Sequence, residues 1–185
     1  MNVEKIKRSG LNPTSPGFTT YFKKMKGEST TKSELNYMDL VISAIGCLIA
    51  MSLISIIAVS LNYPMALGPV GASCLLIFGA HKSPFSQPRQ VIGGHFIAAT
   101  AAITISELFG RSSFTIGLTL GIVIILMVVF NTIHPPAAAS AIVVINTGVD
   151  WGFIPCMLLC IVLLVGMSLF YNNLFDARQY PKHWI

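Results

Sequence analysis

The stretch His134-Pro135-Pro136-Ala137-Ala138-Ala139-Ser140 puts an ionisable ring and two prolines directly after a long apolar run, at the start of a shorter one. Proline removes a backbone donor, and lipid supplies no replacement partner. Such a break is tolerated at membrane depth only where the backbone packs inside protein or lines a cavity. A histidine there, with an ordinary pKa near about 6.5, can donate a hydrogen bond to an anion or carry a proton. It can equally be a neutral ring bonded to a backbone carbonyl.

Gly68-Pro69-Val70-Gly71-Ala72-Ser73 is a second break of the same character. Each opens a short apolar helix with proline followed by small residues. A helix N-terminus carries unpaired N–H groups and a partial positive charge, proline in the first turn costs little, and small side chains let a ligand approach. The expected site is therefore one for a small anion, formed where the N-termini of the two broken helices meet near the midplane. Its expected lining is Gly68, Gly71, Ser73, His134, Pro135, Ala137 and Ser140. His95, behind Gly93-Gly94, either faces the same cavity or lies near an interface. Asn131 and Thr132 either complete the lining or satisfy backbone groups freed by the prolines. The competing reading of the Pro/Gly positions is close helix packing.

These residues need a scaffold, and composition sets its kind. The 185 residues are 54% hydrophobic and 10% charged, against roughly 25% charged in soluble domains. Lipid must be the solvent for most of the chain. The expected fold class is an all-α membrane protein, a helical bundle of four to six membrane segments. Apolar runs lie at 40–61, 65–80, 91–106, 113–130, 134–145 and 153–171. The fifth is too short to cross a hydrocarbon core of about 30 Å alone. Each half reads as long span, short broken helix, span, so the bundle could be a 3+3 inverted repeat, the pattern that points to a transport site.

Residues 1–36 form a basic arm holding seven of the twelve Lys and Arg, with Tyr21–Lys26 either interfacial or a flexible linker; 37–175 is the transmembrane domain; 176–185 is a short polar tail. The arm has no apolar core, so no cleavable signal peptide is expected. It suits an anionic cytoplasmic leaflet. With the N-terminus inside, six crossings leave eleven Lys and Arg inside and Arg111 alone outside; four crossings with two re-entrant loops leave ten and two. Both obey the positive-inside rule.

Other chemistry finds little support. Cys47, Cys74, Cys156 and Cys160 lie in apolar runs without a CxxC pair and read as small packing residues. No GxSxG, HExxH, P-loop or GxGxxG occurs. Neither a metal, a cofactor, an enzymatic activity nor nucleic-acid binding is expected. Arg89 should mark a cytoplasmic helix end, and Glu107 should pair with Arg111 at the opposite one. Gly117 and Gly121 have GxxxG spacing, which serves a homo-oligomer or internal packing.

Gly68-Pro69-Val70-Gly71-Ala72-Ser73, Phe78-Gly79-Ala80, Gln87-Pro88-Arg89, Gly93-Gly94-His95 and His134-Pro135-Pro136-Ala137 together resemble the HPP family of integral membrane proteins, over about residues 20–175. The resemblance implies four transmembrane helices, as the family is usually described. It implies nitrite as the substrate, from the nitrite transport associated with cyanobacterial and plastid members, and no defined catalytic residues. The expectation is a transporter or channel for a small monovalent inorganic anion, nitrite first, in a bacterial inner (plasma) membrane. The rival expectation is a non-transporting sensor or assembly module, with a dry packed core and His134 bonded to backbone.

Overall fold

The computed structural model describes residues 18–25 and 36–184. The chain divides into two units, Met1–Leu35 and Asn36–Ile185. In the first, α1 (Phe18–Met25) exposes Tyr21, Phe22, Lys24 and Met25. Apart from Asn36, which caps the next helix, the rest of the arm lies outside the described residues.

The second unit is wholly helical among the described residues: α2 (Tyr37–Ser60), α3 (Leu67–Gly79), α4 (Pro88–Phe109), α5 (Ser113–Val129), α6 (Ala137–Thr147) and α7 (Phe153–Asn172). Three of them, α2, α4 and α7, are long and apolar enough to cross a membrane; α3, α5 and α6 are shorter apolar helices. The bundle is covered by hydrocarbon side chains. In α2 only Gly46, Ala50, Ile54 and Ala58, one residue per turn, are buried, while Leu48, Leu53 and Ile56 point outward. A lipid solvent gives no hydrophobic drive between helices, so close van der Waals packing and hydrogen bonds must hold them. The small residues of the central α4 (Gly94, Ala98, Ala99, Ala102) serve that packing.

Contacts at the two ends show that the six helices alternate in direction. At one end the Tyr63 hydroxyl, after α2, donates to Asp150 Oδ1, before α7, at 2.8 Å, and that bond raises the Tyr63 pKa above its ordinary value. The Trp151 indole donates to Glu107 Oε1 at 2.8 Å at the same end. Glu107 thus pairs with Trp151; the expected Glu107–Arg111 ion pair is not among those formed by the described residues. At the other end Arg89 donates to Phe130 O at 3.1 Å, closing the C-terminus of α5. Each of the six helices thus runs opposite to the one before it.

The second end is tied by Arg178, 4% exposed. Its Nε donates to Asp39 Oδ1 at 2.8 Å, its Nη2 to Asp39 O at 2.8 Å and to Ser43 Oγ, and its Nη1 to Asn172 Oδ1 at 2.8 Å and Phe78 O at 3.4 Å. One guanidinium thereby joins the start of α2 to the ends of α3 and α7. Tyr180, fully buried, donates to Ser86 O at 2.9 Å, and Gln87 Oε1 accepts from Lys182 N at 2.7 Å. The polar tail is folded against the loop between α3 and α4.

Candidate functional site

Two asparagines set up the breaks. Asn62 and Asn131 take left-handed φ values of 63° and 53°, and the residue after each returns its N–H five residues back, Tyr63 to Ala58 O and Thr132 to Met127 O. Asparagine tolerates this conformation better than most side chains. The halves then diverge. Pro64 begins a 3-10 turn (Pro64–Ala66) that runs straight into α3. Residues 132–134 instead form no helix, in keeping with the bias of a residue before proline, here His134, against helical backbone. This segment lies against Gly93 and Gly94 of α4. A Cβ on Gly94 would come within 2.8 Å of His134 Cβ and 3.1 Å of Thr132 O, so only glycine admits it.

The result is a buried chain of four side chains. Ser73 Oγ lies 2.8 Å from His95 Nε2 and 2.8 Å from His134 Nε2, and 3.0 Å from Pro69 O. His95 Nδ1 lies 2.7 Å from Ser140 Oγ, and His134 Nδ1 lies 2.7 Å from Phe85 O. All four side chains are fully buried. The cluster sits about 9–10 Å along α3 and α4 from their Arg89 end, at 1.5 Å per residue. An open apolar groove of about 400 Å³ runs beside it, lined by residues that include Ala72, Leu76, Phe85 and Pro135.

Of the residues singled out by sequence, the fold brings His95, His134, Ser73 and Ser140 together, with Ala137 buried alongside. It does not bring the others. Gly68 is exposed with nothing near its Cβ position, and Gly71 meets only Met51 Cε at 3.6 Å. Pro135 and Asn131 are exposed, Asn131 serving the turn. Thr132 Oγ1 is buried without a partner.

Two further expectations are corrected. The N-termini of the short helices do not meet: that of α3 lies at the Tyr63–Asp150 end, that of α6 beside Phe85 and Gly94. Nor are their donors open. Ala137, Ala138 and Ala139 give their N–H groups to His134 O, Pro135 O and Pro136 O at 3.0–3.1 Å, and Ala66 gives its own to Tyr63 O. These i→i−3 bonds consume the donors an anion would have used. Whatever binds must use side chains.

Sequence reasoning missed the Phe85 carbonyl and the whole Arg178 knot. The first is backbone and carries no residue signal; for the second, an arginine and a tyrosine in a short tail were the only trace. Among the described residues no three His, Cys, Asp or Glu gather as a metal site.

Fold and composition define an integral membrane protein of helical bundle type. The chain belongs to the HPP family, whose transmembrane region matches residues 32–181. It is similar to two transmembrane proteins of Dictyostelium discoideum, each at 30% identity: one over 181 residues, 90% of this chain and 58% of the relative, the other over 137, 69% and 48%. The chain thus spans about half the length of these curated relatives. No solved structure matches it.

Proposed function

We propose that the protein moves a small monovalent anion across the membrane, with Ser73, His95, His134 and Ser140 as its binding residues. The observation that carries this reading is the makeup of the buried cluster: N–H and O–H groups with no carboxylate. α3, α5, α6 and α7 contain no Asp or Glu. Asp39 of α2 is held by Arg178, and Glu107 of α4 is bonded to Trp151 at the far end. A cation would find no counter-charge here, whereas an anion that parts Ser73 from the rings gains donors. The side chains are fully buried, so the anion reaches them only when helices separate, as in alternating access. Nitrite is the substrate proposed first, on the family resemblance. The count of eleven Lys and Arg on the N-terminal side if all six segments cross supports a cytoplasmic assignment of that side by the positive-inside rule, and a plasma membrane, bacterial or other, is the proposed location.

A second reading has its own observation. The His134–Phe85 O bond and the full burial of the ring are what a non-transporting sensor or assembly module would have. Uptake of nitrite into proteoliposomes, with nitrate, formate and chloride as competitors and empty liposomes as the control for nitrous acid leak, separates the two. Saturable protein-dependent uptake supports transport. No protein-dependent flux of any of the four anions favours the sensor or assembly module.

A further inference from the structure

The hydrogen bonds of the cluster can be assigned proton by proton. Phe85 O is a carbonyl and only accepts, so His134 Nδ1 carries a hydrogen. If His134 is neutral, its Nε2 is then a lone pair and must accept from the Ser73 hydroxyl. Ser73 in turn accepts from His95 Nε2–H, which leaves His95 Nδ1 to accept from Ser140. No other arrangement of neutral rings satisfies both imidazoles.

That arrangement leaves one bond unmade. Five hydrogen-bond distances of 2.7–3.0 Å join Ser140, His95, Ser73, His134, Phe85 O and Pro69 O. Two hydroxyls and two neutral imidazoles supply only four protons. The shortfall falls on Ser73–Pro69 O, because the single hydroxyl proton of Ser73 is committed to His134. One added proton closes the set, and only at one place. On His134 Nε2 it turns that bond around: Ser73 then accepts from both rings and donates to Pro69 O. On His95 Nδ1 it would only reverse the bond to Ser140 and leave the Pro69 O bond still unmade.

We infer that the cluster is a one-proton site centred on His134, switched by rotation of the Ser73 hydroxyl, and that its proton is bound together with the anion. This rests on the transport reading above and specifies its coupling. The groups facing the site offer no other counter-charge. α3 contributes, besides Ser73, the thiol Cys74; α5 and α6 contribute nothing titratable; α7 contributes Cys156, Cys160 and Tyr171. The loop and tail bring the basic His81, Lys82, Arg178, Lys182 and His183 with Tyr180 and an exposed Asp176, α4 brings Arg89 at its start, and α2 brings Cys47 and Asp39, whose carboxylate is already paired with Arg178. An imidazolium in this surrounding is an unpaired buried charge, expensive in a membrane interior. A monovalent anion beside it removes that cost. Proton and anion therefore favour each other's binding by the same factor, and the loaded site crosses without net charge.

The test uses the full chain in nanodiscs with ¹⁵N-labelled histidine, in a gluconate buffer, followed by NMR over pH with and without nitrite. At high pH we expect His134 as the Nδ1–H tautomer and His95 as the Nε2–H tautomer. Saturating nitrite is expected to raise the midpoint of His134 protonation by at least about one pH unit, a tenfold coupling. Ser73→Ala should abolish that shift; Ser73→Thr, which keeps the hydroxyl, should retain it. A His134 midpoint unmoved by nitrite, nitrate, formate and chloride overturns the inference, as does the opposite tautomer at His134. Uptake without a midpoint shift would leave transport standing and refute the coupling. A shift in a protein that shows no uptake would keep the coupled site and refute transport.

Discussion

The protein buries two polar clusters near the same end of its bundle, and they are built on opposite principles. The Arg178 knot is charged and saturated. Its guanidinium hydrogens go to Asp39, Ser43, Asn172 and Phe78 O, and its partner Asp39 supplies the balancing charge. It has one arrangement. The Ser73–His95–His134–Ser140 chain holds no permanent charge and has one hydroxyl with two acceptors in reach, His134 Nε2 and Pro69 O. It has at least two arrangements, differing by one proton. A cluster with one state fastens helices; a cluster with two close in geometry can bind, release and couple.

The sharpest way to break this contrast is to remove the charge from the knot. Arg178→Ala leaves the fully buried Asn172 Oδ1 without its donor and should cost about 1–3 kcal/mol or more, appearing as a lowered thermal midpoint in detergent and loss of folded protein. If Arg178→Ala is as stable as the parent yet silent in uptake, Arg178 belongs to the site and the contrast fails. Overpacking comes next. Gly94→Ala drives a methyl into His134 and Thr132 and should cost about 1–3 kcal/mol, displacing the His134 segment; melting and uptake should fall together. Asp39→Asn keeps a hydrogen-bond acceptor for Arg178 while removing the charge. Because Asp39 is 42% exposed, solvent screens it, and the loss should stay near about 1 kcal/mol.

The smallest effect concerns His81, in the loop that the tail covers. Burial, with Arg178 nearby, holds its pKa below the ordinary value. A base depressed in the fold takes up its proton more readily unfolded, so this contribution to stability is complete above about pH 6.5 and declines as pH falls below it. His81→Phe should flatten the acid limb of a melting-temperature profile relative to the parent. An unchanged limb would show that His81 does not titrate differently on folding.

Much of the site was legible because its residues are rare where they occur. His95, His134, Ser73 and Ser140 stand out in apolar runs, and the structure brings these four side chains together. Orientation was not legible. These helices are apolar on nearly every side, since lipid replaces water, so periodicity does not tell Gly68, which faces outward, from Ser73, which faces in. The hydrogen-bond state of the helix N-termini was hidden as well. Whether the first N–H groups are free depends on a tight turn at Pro135 and Pro136 that residue types alone do not specify. Nothing in the local sequence around Arg178 announces Asp39, 139 positions away.

The most direct test of the central claim compares nitrite uptake by the parent, His134→Gln and Ser73→Ala in proteoliposomes loaded with equal folded protein, with empty liposomes subtracted. Equal melting behaviour within about 1–3 kcal/mol, the range for losing one buried hydrogen-bond partner, would certify that the variants fold. The account predicts that both lose uptake by at least about tenfold, about 1.4 kcal/mol in the barrier. Parent-like uptake by a folded His134→Gln would contradict it and leave the histidine chain a structural fastening like Arg178.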